Sequence, residues 1–223
     1  MNEEKLQHLE KDMLEAHSPS NGKLVPGDGN PYARIMFIGH SASSSDNLSG
    51  LPYSGPAGLI FDQLLAEAGL ARSDIYLSNL VKIWTFKEEF GTNVNRTPTM
   101  KEIKAWAPFL ERELLILNPV AIVALGSTTA QFFLSKSFKL TASGGLWQEI
   151  PDSSPYLKVA SLPTPWPLVM GLAQPSYLLH LEEHVPERSA QARADMVTAL
   201  KEVKQVLLGK KPEPQASDDS LPF

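Results

Sequence analysis

Three short, almost wholly apolar runs constrain the fold of this chain more than any other feature. They read RIMFIG at 34–39, IYLSNLV at 75–81 and VAIVALG at 120–126. Apolar runs of this length without alternation are typical of strands buried on both faces of a parallel sheet. Helical patterns occupy the intervals at 56–68 and 98–117. The alternation predicts an α/β protein with helices on both faces of the sheet, a three-layer α/β/α arrangement.

The remaining segments extend the pattern. Apolar residues at helical spacing predict an opening helix over 3–16 and a closing helix over 188–208, and Ser127 is expected to cap a helix formed by STTAQFFL. Residues 157–162 are predicted as a fourth strand, so we expect a central, mostly parallel, four-stranded sheet. Ligands of such sheets bind beyond the carboxyl ends of the strands. Here those ends are the loops starting at Gly39, Asn79, Gly126 and Pro163.

Composition limits the chemistry. The chain has no cysteine, which excludes disulfides, thiolate nucleophiles and cysteine-ligated metals. Of its five histidines only His180 and His184 have the spacing of one helix face, and with Pro186 so close we favour a solvated pair over a metal site. No metal and no cofactor are therefore predicted.

Charge and hydropathy bear on partners and location. The net charge of −5 and the pI near 5.6 count modestly against a nucleic-acid binder, although backbone amides and hydroxyls also hold phosphates. No run approaches the roughly 20 apolar residues of a membrane span, and the charged start MNEEKLQHLEKDMLEAH is unlike a signal peptide. We expect a cytoplasmic protein without membrane contact. One domain is expected over 1–208, followed by a disordered polar linker and tip over 209–223.

Residues 24–125 resemble family 4 of the uracil-DNA glycosylases, the iron–sulfur family, over nearly their whole length. The matching stretches are LVPGDGNPYARIMFIG, then GHSASSSDNLSGLPYSGPAGLIFDQLLAEAGLARSDIYLSNLVK, then TPTMKEIKAWAPFLERELLILNPVAIVALG. They follow the order and spacing of the family's strand and glycine loop, its Pro-Phe-Val-Gly segment, its Asn-Val-Val-Lys strand end, its Pro-Phe-Leu-Glu-Arg helix and its Val-Ile-Val-Ala-Leu-Gly strand. The resemblance implies the family's fold and an enzyme that flips a pyrimidine out of DNA and breaks its N-glycosidic bond.

The resemblance implies a base pocket. Tyr53 aligns with the phenylalanine that stacks on the flipped base, and Asn79 with the asparagine that reads the pyrimidine edge, a task that suits an amide because it both donates and accepts. Gly55 and Lys82 also match. The alternative is that Tyr53 only packs a loop and Asn79 only ends a strand. The predicted substrate-binding residues are Gly39, Ser41, Tyr53, Asn79, Lys82, Ser127 and Ser176.

Both catalytic loops depart from the family. His40 stands in place of the family's acid and is a possible general base near neutral pH, or it only hydrogen-bonds within the loop. Asp46 is the best remaining carboxylate. Gln174 replaces the histidine of the second loop, or on a second alignment Trp166 does, and a neutral amide donor stabilises charge less than an imidazolium. The predicted catalytic residues are His40, Asp46 and Gln174.

The apolar insertion PWPLVMGLA between the matching ends of the second catalytic loop is either a wedge into DNA, through Trp166, Leu168 and Met170, or a packed lid.

The family's cluster cysteines align with Ile83, Trp106 and the segment around 11–22, where no cysteine occurs. Apolar replacements there predict a domain that folds without a cluster.

The chain ends in Asp218, Asp219, Ser220, Leu221, Pro222 and Phe223, which resembles the acidic tip of bacterial single-stranded-DNA-binding proteins. This implies a partner-binding tip formed by Asp218, Asp219, Leu221, Pro222 and Phe223 for the proteins that bind such tips, because a terminal Phe fills an apolar pocket and aspartates meet a basic rim. The alternative is a plain solubilising tail.

The leading hypothesis is a DNA glycosylase acting on uracil or another modified pyrimidine. The changed catalytic loops keep two others open: a catalytically impaired, glycosylase-like domain that binds DNA or a partner, and base excision from a hypermodified viral DNA.

Overall fold

The computed structural model describes residues 1–16, 22–152 and 164–215. Its helices are α1 (Asn2–Ala16), α2 (Ser44–Ser49), α3 (Pro56–Ala68), α4 (Met100–Leu117), α5 (Ser127–Phe133), α6 (Leu140–Ser143), α7 (Pro175–His184) and α8 (Pro186–Leu207). Its strands are β1 (Asp28–Gly29), β2 (Ile35–Ala42), β3 (Tyr76–Trp84), β4 (Phe86–Glu89), β5 (Thr92–Asn95), β6 (Ala121–Leu125), β7 (Trp147–Gln148) and β8 (Leu168–Leu172).

The central sheet has the strand order β1-β3-β2-β6-β8-β7. Strands β3, β2, β6 and β8 are mutually parallel, and the two-residue strands β1 and β7 pair antiparallel at the edges. The parallel strands are buried because helices cover both faces, as their unbroken apolar sequences indicated. The predicted three-layer, mostly parallel α/β fold is confirmed, but the sheet has six described strands rather than four.

Two apolar cores lie on opposite faces of the sheet. One is formed by α1, α4 and α5, with Trp106 and Phe132 among its largest side chains. The other is formed by α3, α7 and α8, with Phe61 and Leu200 at its centre. Helix α4 begins at a capping box in which Thr99 Oγ1 accepts from the backbone N–H of Glu102 while the Glu102 carboxylate accepts from that of Thr99. These layers leave the carboxyl ends of the parallel strands as the open edge of the domain.

The fourth parallel strand differs from the prediction. Residues 157–162 lie outside the described part of the chain, and the strand beside β6 is β8, inside the stretch interpreted as an insertion. Met170 is fully buried there and pairs with Val123, so it belongs to the sheet and cannot enter DNA. The wedge interpretation is therefore wrong for Met170, because the apolar residues of this stretch complete the sheet.

The first part of the tail predicted to be disordered contacts the domain. Pro212 is buried, and the backbone N–H of Gln215 donates to the Trp147 carbonyl oxygen at 2.7 Å. This bond uses an acceptor of β7, the last strand on this side of the sheet in the described part of the chain, which explains why a polar segment docks there. The predicted tip at 218–223 lies outside the described residues. No described helix has the length and apolarity needed to cross a membrane.

Candidate functional site

Loops from β2, β3, β6 and β8 meet at the carboxyl edge of the sheet. Gly39 of β2 is the register partner of Asn79 in β3, and the Gly126 N–H donates to the Leu172 carbonyl oxygen at 2.7 Å, which joins the ends of β6 and β8. Because adjacent parallel strands end side by side, residues distant in sequence converge here.

Tyr53, Asn79 and Gly39 form a cluster at this edge. A Cβ atom added to Gly39 would overlap both Tyr53 Oη and Asn79 Oδ1, so only glycine allows the two side chains to approach the strand this closely. The Tyr53 ring packs against Phe61 with centroids 5.5 Å apart. The structure therefore brings three of the predicted substrate-binding residues together.

Tyr53 is held in a left-handed backbone conformation, with φ of 55°. Such a conformation is uncommon for a residue other than glycine and requires support from its surroundings. Arg72 supplies it by donating to the carbonyl oxygen of Tyr53 at 2.6 Å while its own guanidinium pairs with Asp62. Burial, and secondarily the negative charge of Asp46, raise the pKa of Tyr53, so its hydroxyl stays protonated.

Asn79 is only 2% exposed, and its amide nitrogen Nδ2 has no hydrogen-bond partner in the described part of the chain. A buried amide without a partner costs about 1–3 kcal/mol. An unpaired donor beside an aromatic ring is what a site for a polar, planar ligand requires.

His40 lies one residue beyond Gly39, and its Nδ1 is 2.9 Å from Ser41 Oγ. Burial lowers the pKa of His40 to about 4, so the imidazole is neutral at neutral pH. The Ser41 hydroxyl contacts His40 Nδ1 and Thr85 Oγ1, and its predicted contact with substrate stays a prediction.

An open hollow of about 1020 Å³ borders the cluster. His40, Gly126, Ser127, Gln174 and Ser176 line it, whereas Tyr53 and Asn79 do not. The buried cluster marks the candidate site and the hollow its approach, because His40, which lines the hollow, directly follows Gly39 of the cluster. Ser127 is the first residue of α5 rather than its cap, which is Gly126.

Gln174 precedes α7 and lies against Gly126, where an added Cβ would contact its side chain. Its Nε2 is 3.5 Å from the Leu125 carbonyl oxygen, at the limit of a hydrogen bond, and its Oε1 accepts from Ser176 Oγ at 3.3 Å. Gln174 therefore presents an amide at the hollow. Trp166, its alternative in the alignment, is partly buried against the core.

Asp46 does not stand in the site as a free carboxylate. Its Oδ2 accepts from the Ser43 N–H at 2.8 Å, and its Oδ1 accepts from the N–H and hydroxyl of Ser54 at 2.8 and 3.1 Å. These bonds cap α2 and close the loop that leads to Tyr53. The structure thus gives Asp46 a structural role, in which both of its oxygens accept hydrogen bonds, and its catalytic role stays a prediction.

Lys82 lies away from the cluster. Its ammonium is fully buried, 2.6 Å from Glu113 Oε2 of α4 and in contact with Ser78. Burial lowers the pKa of Lys82, and the charge of Glu113 opposes that shift. Lys82 therefore forms an internal ion pair between the sheet and α4, and its predicted contact with substrate stays a prediction.

Thr85 and Arg96 were not singled out from the sequence, although Thr85 contacts Ser41 beside His40. Thr85 is 2% exposed, and its hydroxyl is 2.8 Å from Ser41 Oγ and donates to the Arg96 carbonyl oxygen at 2.6 Å. Neither residue belongs to a matching motif, and the contacts depend on the β4–β5 hairpin that separates them. The nearest sequence signal is the TPT segment at 97–99, which follows Arg96 and precedes α4.

This strand order, with an aromatic ring and a buried amide at the carboxyl edge, is that of an α/β protein of the kind that binds ligands beyond its strand ends. The family model of the uracil DNA glycosylase superfamily matches residues 26–204, and the chain belongs to that superfamily.

Individual relatives match about half of the chain. It is 39% identical over 111 residues to the type-4 uracil-DNA glycosylase of Thermotoga maritima and 36% identical over 111 residues to that of Archaeoglobus fulgidus. Each match covers 50% of this chain, and 54% and 52% of those proteins. A DNA polymerase of Bacillus phage SP01 is 28% identical over 131 residues, 58% of this chain and 13% of the polymerase. The chain thus spans about half the length of the curated glycosylases it matches.

The iron–sulfur cluster implied by the family-4 resemblance does not fit these residues. The chain has no cysteine to supply thiolate ligands. Trp106, at one of the aligned positions, is 2% exposed within the α1–α4 core, and Ile83, at another, packs against the same core. Apolar side chains thus occupy these two positions, and residues 17–21 of the third aligned segment lie outside the described part of the chain.

Proposed function

We propose that the chain removes uracil or another modified pyrimidine from DNA by hydrolysing the N-glycosidic bond of a flipped nucleotide. Membership of the superfamily and similarity to type-4 uracil-DNA glycosylases support a function of this kind. The observation that carries the proposal is the buried amide nitrogen of Asn79, which has no partner among the described residues and lies beside Tyr53 and over Gly39.

The cluster has the groups that a flipped pyrimidine needs. The Tyr53 ring offers a face on which the base stacks, an interaction worth about 1–3 kcal/mol for nucleobases on aromatic side chains. Asn79 Nδ2 then donates to a carbonyl oxygen of the base while Oδ1 accepts from a ring N–H, which satisfies the unpaired amide. A cytosine presents an amino group at one of those positions and leaves the donor facing a donor.

Hydrolysis breaks the bond between C1′ of the sugar and N1 of the base, with the electron pair leaving on the base. Water adds its oxygen to C1′ and loses a proton, which neutral His40 accepts as general base. Gln174 donates an amide hydrogen toward the departing base. Because this donor is uncharged, we expect slow excision: loss of one strong donor to developing charge raises a barrier by roughly 3–4 kcal/mol.

The test is a panel of labelled oligonucleotides, single- and double-stranded, that carry uracil, thymine or modified pyrimidines, with DNA from a virus with hypermodified bases as a further substrate. Abasic product is detected as alkali-labile strand breaks. We expect product with wild type, loss with Asn79→Ala, and retention with Asn93→Ala, a matched control at an exposed position of β5. Absence of product on every substrate would refute the proposal.

A second candidate function is a non-catalytic DNA- or partner-binding module. The occupied carboxylate of Asp46 favours it, because this removes the acid that the sequence offered for activating water. DNA affinity that survives His40→Ala and Gln174→Ala, with no turnover by wild type, would support this function. A reaction that those substitutions abolish would exclude it.

The C-terminal residues 218–223 are proposed as a docking tip for proteins that bind the tip of single-stranded-DNA-binding protein. Support comes from the sequence DDSLPF alone. Deleting these six residues is expected to abolish capture of such proteins and to leave the thermal unfolding of the domain unchanged. Equal capture with and without them would refute this role.

A further inference from the structure

A chain of three hydrogen bonds runs behind His40. Its Nδ1 is 2.9 Å from Ser41 Oγ, Ser41 Oγ is 2.8 Å from Thr85 Oγ1, and Thr85 Oγ1 is 2.6 Å from the Arg96 carbonyl oxygen. This series of hydrogen bonds connects the end of β2 to the end of β3 and to the base of the β4–β5 hairpin.

The Arg96 carbonyl oxygen, the last acceptor, fixes the direction of every hydrogen bond in this series. A carbonyl oxygen only accepts, so the single hydroxyl proton of Thr85 goes to Arg96. Thr85 Oγ1 then has only lone pairs for Ser41, so Ser41 donates its own proton to Thr85. Ser41 has no proton left for His40, and His40 Nδ1 must carry the hydrogen of this last bond.

The neutral imidazole carries one proton, so Nδ1–H leaves a lone pair on Nε2. Among the described residues Nε2 has no hydrogen-bond partner, and His40 lines the open hollow. We propose that Ser41, Thr85 and the Arg96 carbonyl form a positioning relay that holds His40 in its Nδ1–H form and presents Nε2 as the acceptor for the attacking water. This inference rests on the proposed glycosylase function and adds Thr85 and Arg96 to its machinery.

The terminal acceptor is rigidly mounted, which the relay requires. The backbone N–H of Arg96 donates to the Thr85 carbonyl oxygen at 3.0 Å, and its guanidinium donates to the Phe86 carbonyl oxygen at 2.8 Å. The same guanidinium binds both oxygens of Glu102, at 2.7 and 2.8 Å, and Glu102 also forms the capping box of α4 with Thr99. A bidentate arginine–carboxylate pair fixes orientation as well as distance.

The histidine tautomer can be measured without any substrate. Protein labelled with ¹⁵N-histidine is studied at pH 7.5 by long-range ¹H–¹⁵N correlation, and the His40 signals are assigned by their loss in His40→Gln. We expect a protonated Nδ1 and an unprotonated Nε2 in the wild type. A protonated Nε2 would overturn the relay, whatever the protein does to DNA.

Two substitutions at Thr85 separate the relay from simple packing. Thr85→Val removes the hydroxyl with little change in shape, and Ser41 is then free to donate to Nδ1, so we expect the Nε2–H form to increase. Thr85→Ser keeps the hydroxyl and is expected to preserve the wild-type tautomer. Thr92→Val, at an exposed position of the same hairpin, is the matched control. If Thr85→Val does not fold, Ser41→Ala breaks the chain at its other link and serves the same purpose.

The excision assay completes the test. A positioned general base contributes about 10²–10⁴-fold to rate, and we expect Thr85→Val to lower kcat at least about tenfold with little change in KM. A changed tautomer with unchanged kcat would overturn the relay as a catalytic device. Absence of excision by the wild type would refute the proposed function, while the spectra would still decide the tautomer.

Discussion

Replacing Lys82 with methionine removes one half of an ion pair that the structure places wholly inside the domain. The side chains of Lys82 and Glu113 are 0% and 1% exposed, with 2.6 Å between nitrogen and oxygen. In Lys82→Met the Glu113 carboxylate keeps, among the described residues, only two neutral donors, Ser78 at 2.8 Å and Tyr76 at 3.4 Å. A buried charge left without its partner destabilises a protein by about 3–5 kcal/mol.

That loss is large for a domain of this size. One kcal/mol shifts the Tm by roughly 2–4 °C in chains of 150–250 residues, so we expect Lys82→Met to lower the Tm by roughly 6–20 °C. Adding Glu113→Gln removes the stranded charge and keeps an acceptor for Ser78, so the double variant should recover part of the loss. Lys104→Met, at an exposed position of α4, is the matched control and should unfold like the wild type.

Urea titration and calorimetry measure these changes, and excision by protein that is still folded separates structure from function. We expect folded Lys82→Met to keep its excision rate. A loss of stability below about 1 kcal/mol would refute the ion-pair argument. Normal stability with lost excision would restore Lys82 as a substrate contact.

Three further perturbations test the site. Gly39→Ala places a Cβ against Tyr53 and Asn79, so we expect a folded protein that loses at least about tenfold in excision, measured as kcat/KM; equal activity would contradict the cluster. Asp46→Ala removes the α2 capping box, and we expect a loss of about 1–2 kcal/mol in urea unfolding, whereas unchanged stability with abolished turnover would return Asp46 to catalysis. For His40, whose pKa falls to about 4 on folding, the unfolded chain takes up the proton first as pH drops. Stability is therefore lost between about pH 6.5 and 4, and this slope should be smaller in His40→Gln; an equal slope in both proteins would contradict the burial effect.

The succession of elements was largely predictable because it depends on local pattern. The helix over 56–68 has the predicted bounds, and the strand predicted at 120–125 begins one residue later than expected. Apolar spacing fixes such elements through the face they bury, whatever their neighbours are. The hairpin at 86–95 was missed because its two strands, FKEE and TNVN, carry few apolar residues and pair mainly with each other.

The candidate site was predictable only in part. Tyr53 and Asn79 followed from motif resemblance, and the structure brings them together over Gly39. Asp46 and Lys82 looked equally functional in sequence, and burial with specific partners gives both of them structural roles. The sequence of a matching motif does not show whether its charged residue faces a ligand or the interior of the domain.

The sequence by itself determined that this chain forms a parallel α/β sheet of the uracil-DNA glycosylase superfamily. Strand length, apolarity and loop residues are properties of short segments, so they can be recognised without knowing their tertiary contacts. Only the tertiary structure decided which polar groups are paired and which are free. Ser41 finds Thr85 at a separation of 44 residues, and Lys82 finds Glu113 at 31. Hydrogen-bond and charge partners at such distances are set by how the strands stack against the helices, which no local pattern of residues encodes.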